Sequence, residues 1–378
     1  MNYVPAVADD PADIAACQKL FHDFARQTAK GTPLYSRLAA GIAEDQRLAG
    51  LLLHAPVAQR LPVLLFACVH WLLLGEPAAR LARYYPNIAG QNVGGASALS
   101  GDPFPAFAEF CAERASVLHE LLATRRTQTN EIGRTALFVP VFGLIERELG
   151  SLSQVDVGAS AGLNLLMSHF DFTYQPGGSI RTGSTVHLTC GTRGDVPVPS
   201  THPSIGAAIG IDQSPIDLAD VEQARWLEAC VWPDQVERFE RLRSAIGIAR
   251  RVGVDVRTAD AVHGVALAAT QAAHAGHPVL TTSWVMNYLS AGERIAFIAE
   301  LDGLAAGGTD CSWVYAESPA LCPELPGTPQ ASSTDQPTAV VVVRWRAGRR
   351  TAEHVADAHP HGAWMHWKSG SGQPGTTA

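Results

Sequence analysis

The stretch at residues 155–164, Val-Asp-Val-Gly-Ala-Ser-Ala-Gly-Leu-Asn, has the residue types and spacing of a ligand-binding turn. A β-rich run ends in small residues, and a helical pattern follows. Such a turn leaves backbone N–H groups free at the start of a helix, and glycines at 158 and 162 let a ligand approach the main chain. In doubly wound sheets, ligands bind at the carboxyl ends of the strands, where this turn lies.

One interpretation of this turn is the first motif of an S-adenosylmethionine-dependent methyltransferase. Asp156 stands two residues before Gly158, where a carboxylate can hold the amino group of the cofactor directly or through water. We expect the rest of the loop to contact the cofactor as well, namely Ser160, Gly162 and Asn164.

A second interpretation is a serine hydrolase, because residues 158–162 match the nucleophile-elbow pattern G-x-S-x-G with Ser160 as nucleophile. The chain also offers later acids and histidines for a triad, namely Asp260 or Glu317 with His354, His359 or His361. Such an elbow normally follows several strands, whereas residues 1–150 have a helical pattern. The remaining alternative is a tight strand–helix turn that binds nothing.

Acids and polar residues after the later strands favour the methyltransferase interpretation. Asp212 follows a second β-rich run, where a carboxylate would accept both ribose hydroxyls. Asp260 would accept the adenine amino group, and the N–H of Ala261 would meet a ring nitrogen. Ser283 lies on the fourth run, close to the cofactor.

Four further side chains are the candidates for the chemistry of the cleft. Asn287 offers a donor and an acceptor to the methyl acceptor, and the Tyr288 hydroxyl can aid proton removal. Glu317 ends a β-rich run and can act as a base. Arg134 can bind a carboxylate, unless it forms a local ion pair with Glu131.

The elements that must position these residues fall into two patterns. Residues 11 to about 150 show helical periodicity, and short β-rich runs then alternate with helices. This order predicts an α/β fold: a Rossmann-like, methyltransferase-type twisted sheet of about seven mostly parallel strands after an all-helical domain. We expect domains at 1–150 and 151–368 and a disordered tail at 369–378. The predicted strands are 155–157, 186–190, 254–258, 279–285, 313–316 and 340–345.

The amino-acid composition limits the kinds of binding partner that we expect. The formal net charge is −8 and no basic run exceeds two residues, so no nucleic-acid partner is expected. The seven cysteines form no C-x-x-C pair and the C-terminal histidines are interrupted by Pro360, so no metal is expected. The longest apolar run, 61–74, is too short to cross a bilayer, and no signal peptide precedes it. These features predict a cytoplasmic protein.

Several long segments resemble DUF2332, a family of uncharacterised bacterial proteins, and the resemblance spans about residues 15–368. The matching segments are 51–75, 128–134, 155–166, 210–217, 231–242 and 361–367. The resemblance implies a methyltransferase-like sheet after a helical domain, without naming a substrate. The long spacing between Gly162 and Asp212 requires an inserted hairpin at about 170–205, and Ser160 replaces the usual middle glycine of the turn. Asp171 is therefore the alternative ribose acid.

The expected function is methyl transfer from S-adenosylmethionine to a small molecule. Two alternatives remain open at this point: the serine hydrolase, and a non-catalytic protein that binds S-adenosylmethionine or a similar nucleoside.

Overall fold

The structure, a computed structural model, describes residues 10–28, 31–92, 101–331, 333 and 336–368. The predicted tail at 369–378 lies outside the described residues. The chain divides into two compact units: a helical unit that runs to Thr129 and includes Asp220–Arg243, and a sheet unit made of Asn130–Ala219 and the chain from Ser244 onward.

The helices alternate with short 3₁₀ turns. The α-helices are α1 (Pro11–Thr28), α2 (Pro33–Ala43), α3 (Gln46–Gly50), α4 (Pro62–Gly75), α5 (Pro86–Asn92), α6 (Phe104–Glu113), α7 (Ala115–Thr124), α8 (Thr135–Leu149), α9 (Val221–Ala229), α10 (Val236–Val252), α11 (Ala261–Ala272) and α12 (Ala291–Ala306). The 3₁₀ helices are Leu51–His54, Val57–Gln59, Arg80–Tyr84, Ile132–Arg134, Leu163–His169 and Met286–Tyr288.

The helical unit is built around α4, whose sequence is apolar on every face and of whose fourteen residues ten are buried. Leucine side chains and aromatic rings together form the core, and Trp226 of α9 belongs to it with an exposure of 2%. This burial explains why Asp220–Arg243 joins the helical unit, although the sequence placed it in the second domain. No helix of the described part of the chain has both the length and the apolar character to cross a membrane.

The strands form one sheet of eleven, in place of the expected seven. They are β1 (Leu152–Val157), β2 (Asp171–Gln175), β3 (Gly178–Ile180), β4 (His187–Arg193), β5 (Ile205–Asp212), β6 (Asp255–Thr258), β7 (His277–Ser283), β8 (Cys311–Glu317), β9 (Thr338–Arg346), β10 (Arg349–Ala358) and β11 (Trp364–Trp367). Their order is β3-β2-β4-β11-β10-β9-β8-β7-β1-β5-β6. The expected α/β class, helical N-terminal region and mostly parallel sheet are confirmed. The strand count was wrong because β10 and β11 were not recognised in the sequence and because the inserted region adds β2 and β3.

The order of strands reverses direction at β1. Parallel strands β5 and β6 lie on one side of β1, and parallel strands β7 and β8 lie on the other. In open parallel sheets such a switch point leaves a crevice at the carboxyl ends of the two strands that flank it. The turn that follows β1 lies at this crevice.

Helix α8 belongs to the sheet unit, which moves the boundary from about 150 to 129. Every residue from Thr135 to Ile145 is buried, although Pro140 interrupts the helix. The helix contacts β1, β8 and β4 of the sheet. Its buried part from Thr135 to Ile145 is apolar apart from Thr135, as expected for a helix segment without an exposed face.

The inserted region after β1 contains three strands. β2 and β3 pair as an antiparallel hairpin, while β4 runs parallel to β2 and to β11. The expected hairpin is therefore part of a longer extension of the sheet.

Candidate functional site

The turn after β1 has an unusual backbone. Gly158, Ser160 and Gly162 all have positive φ, at 72°, 52° and 72°. A left-handed conformation is uncommon at a serine, and strained conformations of this kind cluster at functional sites. The N–H groups of Gly158 and Ala159 both donate to the carbonyl of Ile211, which fastens the turn to β5.

Protein side chains occupy the space beside the two glycines. A Cβ at Gly158 would lie 2.6 Å from Val285 Cγ2, and one at Gly162 would lie 2.5 Å from Val256 Cγ2. Glycine is therefore required at both positions by the backbone conformation and by packing. The expectation that their missing side chains make room for a ligand has no support in this geometry.

Asp156 is buried at the end of β1, with an exposure of 2%. Its Oδ1 accepts a hydrogen bond from Thr281 Oγ1 at 2.7 Å, while its buried Oδ2 has no hydrogen-bond partner within the described residues. Burial raises the pKa of Asp156 to about 7, although the Thr281 hydrogen bond and the charge of Arg134 lower it. A buried carboxylate oxygen without a partner is costly, so it marks a place where a donor or a cation would bind favourably.

Glu317 is the second buried acid, at the end of β8. Its Oε1 accepts hydrogen bonds from the backbone N–H groups of Val285 at 3.0 Å and Met286 at 3.3 Å. Burial raises its pKa to about 7 against these hydrogen bonds and the charge of Arg134. The chain before Val285 bends through Trp284, whose φ is +57°. Glu317 thus holds a strained turn while remaining poorly solvated.

Arg134 joins the end of β7 to the turn that contains Pro360. Its Nη1 donates to the carbonyl of Ser283 at 2.7 Å and its Nε to the carbonyl of Pro360 at 2.8 Å. Its positive charge lowers the pKa of both Asp156 and Glu317. The guanidinium therefore positions the end of β7 and stabilises charge on both acids.

Glu131 pairs with a histidine in addition to its local contacts. Its Oε1 accepts from the N–H of Gly133 at 3.0 Å, and its Oε2 lies 3.3 Å from His361 Nδ1. A Cβ on Gly362 would overlap the carbonyl of Gly133, so the two turns pack backbone to backbone. This contact, which the sequence did not predict, fixes the segment that carries Arg134.

Asp212 ties the β1 turn to the end of β5. Its two oxygens accept from the N–H groups of Ser160 and Ser214, each at 2.8 Å. Asp171, the alternative ribose acid, lies on β2 and binds Thr182 and the N–H of Ser184. Asp171 therefore stabilises a turn in the hairpin region. Of the two candidate ribose acids, only Asp212 contacts the β1 turn.

Asp260 caps helix α11 at its first residue, Ala261. Its Oδ1 accepts from the N–H groups of Val262 and His263, and its Oδ2 accepts from Gln213 Nε2 at 2.9 Å. These hydrogen bonds lower the pKa of Asp260, so its negative charge is retained at the end of β6.

The remaining predicted residues separate by burial. Tyr288 is 80% exposed, so it does not belong to an enclosed site. Asn164 and Asn287 each have a buried Oδ1 without a hydrogen-bond partner in the part of the chain that the structure describes. Both amides therefore have an acceptor available. Thr281 was missed because its contact with Asp156 depends on the register between β1 and β7.

The histidines named for a hydrolase triad have other contacts. His354 on β10 lies 2.9 Å from Asp357, and His359 Nδ1 accepts from the N–H of His361. His361 in turn faces Glu131. The sequence indicated these residues by type alone, and each of them contacts a residue other than Ser160.

Comparison with known proteins identifies a family and no function. The model of the family DUF2332, described as uncharacterized protein conserved in bacteria, matches residues 18–367. This confirms the resemblance seen in the sequence, and the match includes both units. No curated protein and no solved structure matches the chain.

Proposed function

The chain belongs to the bacterial family DUF2332, whose description names no reaction, so we propose its function from the geometry of the site. We propose that it is an S-adenosylmethionine-dependent methyltransferase acting on a small molecule. The parallel order β6-β5-β1-β7-β8, followed by antiparallel β9, supports a Rossmann-like fold of the methyltransferase type.

The observation that carries the proposal is the unpartnered Oδ2 of Asp156. It lies at the end of the strand where the sheet reverses its order, beside a strained turn. An ammonium group placed there would donate a hydrogen bond to this oxygen and balance its charge. The amino group of an amino-acid-type cofactor would satisfy it.

The electrostatic character of the site also favours a cationic cofactor. Burial raises the pKa of Asp156 and of Glu317 to about 7 at the ends of two strands. A bound cation would stabilise the charged form of both. S-adenosylmethionine has an ammonium and a sulfonium group, and when bound it would supply an electrophilic methyl group.

The chain's own residues would act mainly by binding and orientation. Asp156 would hold the amino group, while Arg134 would keep the Ser283 end of β7 in place. Asp212 and Asp260 are carboxylates with oxygen lone pairs beyond those used by the backbone, and would accept from ribose and adenine. Asn287 would orient the methyl acceptor through its buried amide oxygen.

Calorimetric titration with S-adenosylhomocysteine tests the proposal. We expect micromolar binding to the wild-type protein and a loss of at least tenfold in Asp156→Asn, because the amide cannot pair with an ammonium. Asp195→Asn is the matched control, since Asp195 is exposed and lies in the loop after β4. Absence of binding at millimolar ligand, or equal losses in both variants, would contradict the cofactor assignment. Binding without turnover on a broad panel of acceptors would favour a binding protein.

One observation favours the serine hydrolase, namely the left-handed conformation of Ser160. Against it, the Ser160 N–H donates to Asp212, and the triad candidates have the contacts described above. A fluorophosphonate probe decides the matter: labelling that disappears in Ser160→Ala would establish the hydrolase.

A further inference from the structure

The helical unit contains buried polar atoms that nothing in the described chain satisfies. They are the hydroxyls of Tyr35 and Tyr85, Oδ1 of Asn87 and Oδ2 of Asp234. Tyr35, Tyr85 and Asn87 are at most 1% exposed. Leaving several buried polar atoms unpaired in one core is costly, and native cores contain few.

Ring contacts and charge place Tyr35, Tyr85 and Asp234 close to one another. The ring of Tyr35 lies 6.5 Å from that of Tyr85 and 5.8 Å from that of Trp232. Burial raises the pKa of both tyrosines, and the charge of Asp234 raises both further. Asp234 thus lies within electrostatic reach of both phenols.

Within the described part of the chain, no basic side chain forms an ion pair with Asp234. Burial raises its pKa, and the only opposing influence is a hydrogen bond from the backbone N–H of Leu34. Leu34 lies in the first turn of α2, so Asp234 lies near the start of that helix. The Oδ2 atom of Asp234 is left buried and unpaired within the described residues.

We propose that the helical unit binds a small organic ammonium ion at this cluster. The ammonium N–H groups would donate to Asp234 Oδ2, and the carbon stem would lie against the rings of Tyr35 and Trp232. Aromatic faces attract cations, and the attraction adds to the ion pair with the carboxylate. This site goes beyond the proposed methyl transfer and does not rest on it, because all its residues belong to the helical unit.

The stability of Tyr85→Phe tests the site without any ligand. If the hydroxyl has no partner, its removal relieves a buried polar group, and Tm rises by about 2–4 °C. Tyr315→Phe is the matched control, because the Tyr315 hydroxyl donates to the carbonyl of Pro326 and lies 2.7 Å from Thr328. Its loss should lower Tm. A lower Tm in Tyr85→Phe as well would show that a structural network or buried water satisfies the hydroxyl, and would overturn the proposal.

Calorimetry with 2-phenylethylamine and 2-phenylethanol tests whether binding at the cluster requires a positively charged ligand. The two probes share a stem and differ in the ammonium group, so we expect the amine to bind at least about tenfold more tightly. Asp234→Asn should abolish the difference. Glu237→Gln should preserve it, because the Glu237 side chain is 96% exposed. Equal affinities for the two probes, or no binding of the amine at millimolar concentration, would refute the site.

Discussion

Asp156 and Glu317 are acids that the folded chain keeps away from water. Burial raises their pKa from 3.8 and 4.5 to about 7. Between about pH 4 and pH 7 the folded protein therefore retains protons that the unfolded chain has released. The resulting stabilisation is complete below about pH 4 and is lost as the pH rises through 7.

Glu317→Gln should stabilise the protein at pH 8 and leave it almost unchanged at pH 4. Glutamine can still accept the N–H groups of Val285 and Met286, but it has no charge to bury. We expect a gain of about 2 kcal/mol at pH 8, measured by urea unfolding. Glu237→Gln is the control, because an exposed glutamate should show no such pH dependence. An equal gain at both pH values would mean that packing is the cause.

The affinity for S-adenosylhomocysteine should fall as the pH falls below 7. Asp156 must be ionised to pair with the ligand's ammonium, and its pKa is about 7. We expect binding at pH 6 to be roughly tenfold weaker than at pH 8, measured by calorimetry. Asp156→Asn should bind weakly at both pH values, while Glu317→Gln should keep the pH dependence. A flat profile in the wild-type protein would exclude Asp156 as the ammonium ligand.

At the scale of elements, the β1 turn depends on glycine for two separate reasons. Gly162 and Gly253 have similar positive φ values of 72° and 79°, but only Gly162 has close neighbours. Alanine at either position should cost about 1–2 kcal/mol of left-handed strain. Gly162→Ala should lose about 1–3 kcal/mol more, because its Cβ would meet Val256. Urea midpoints compare the two variants, and equal losses would show that the turn relaxes freely.

Some strands could be predicted from the sequence because a buried strand is a local run of apolar residues. Each of the six predicted β-rich runs overlaps a strand, and apolar runs such as those of β7 and β9 are buried almost throughout. β10 has an exposed, polar first half and was missed. β11 has only four residues, and its pairing with β4 joins segments far apart in sequence. Such a strand is defined by its neighbours rather than by its own residues.

Some residues of the candidate site could likewise be predicted from the sequence, and others could not. Asp156 and Glu317 could be named because each ends a recognisable β-rich run. The partner of Asp156, Thr281, could not be named because one residue of register would exchange it for another side chain. The pairing of Glu131 with His361 joins two turns that are far apart in sequence.

At the scale of the molecule, the helical unit needs two separate segments of chain. Trp226 is buried in its core and donates to the carbonyl of Arg126, and His70 Nδ1 lies 3.0 Å from the carbonyl of Ala229. We expect residues 1–129 alone to bind a hydrophobic dye and to unfold without cooperativity.

A chain that joins 1–129 to 220–252 through a flexible linker should unfold cooperatively in urea. Trp226→Ala in that chain should lose about 3–5 kcal/mol. Cooperative unfolding of 1–129 alone would show that the second segment is dispensable.

The divided helical unit also sets an order of events during protein synthesis. Its first segment leaves the ribosome complete at Thr129, but its second segment begins only at Asp220, after β1 to β5 have been made. At a translation rate of roughly 5–20 residues per second, several seconds pass before Trp226 is made, and until then it cannot pack into the core of the first segment. During that interval its apolar surface is accessible to chaperones and proteases. The nascent chain is therefore most vulnerable in the middle of translation.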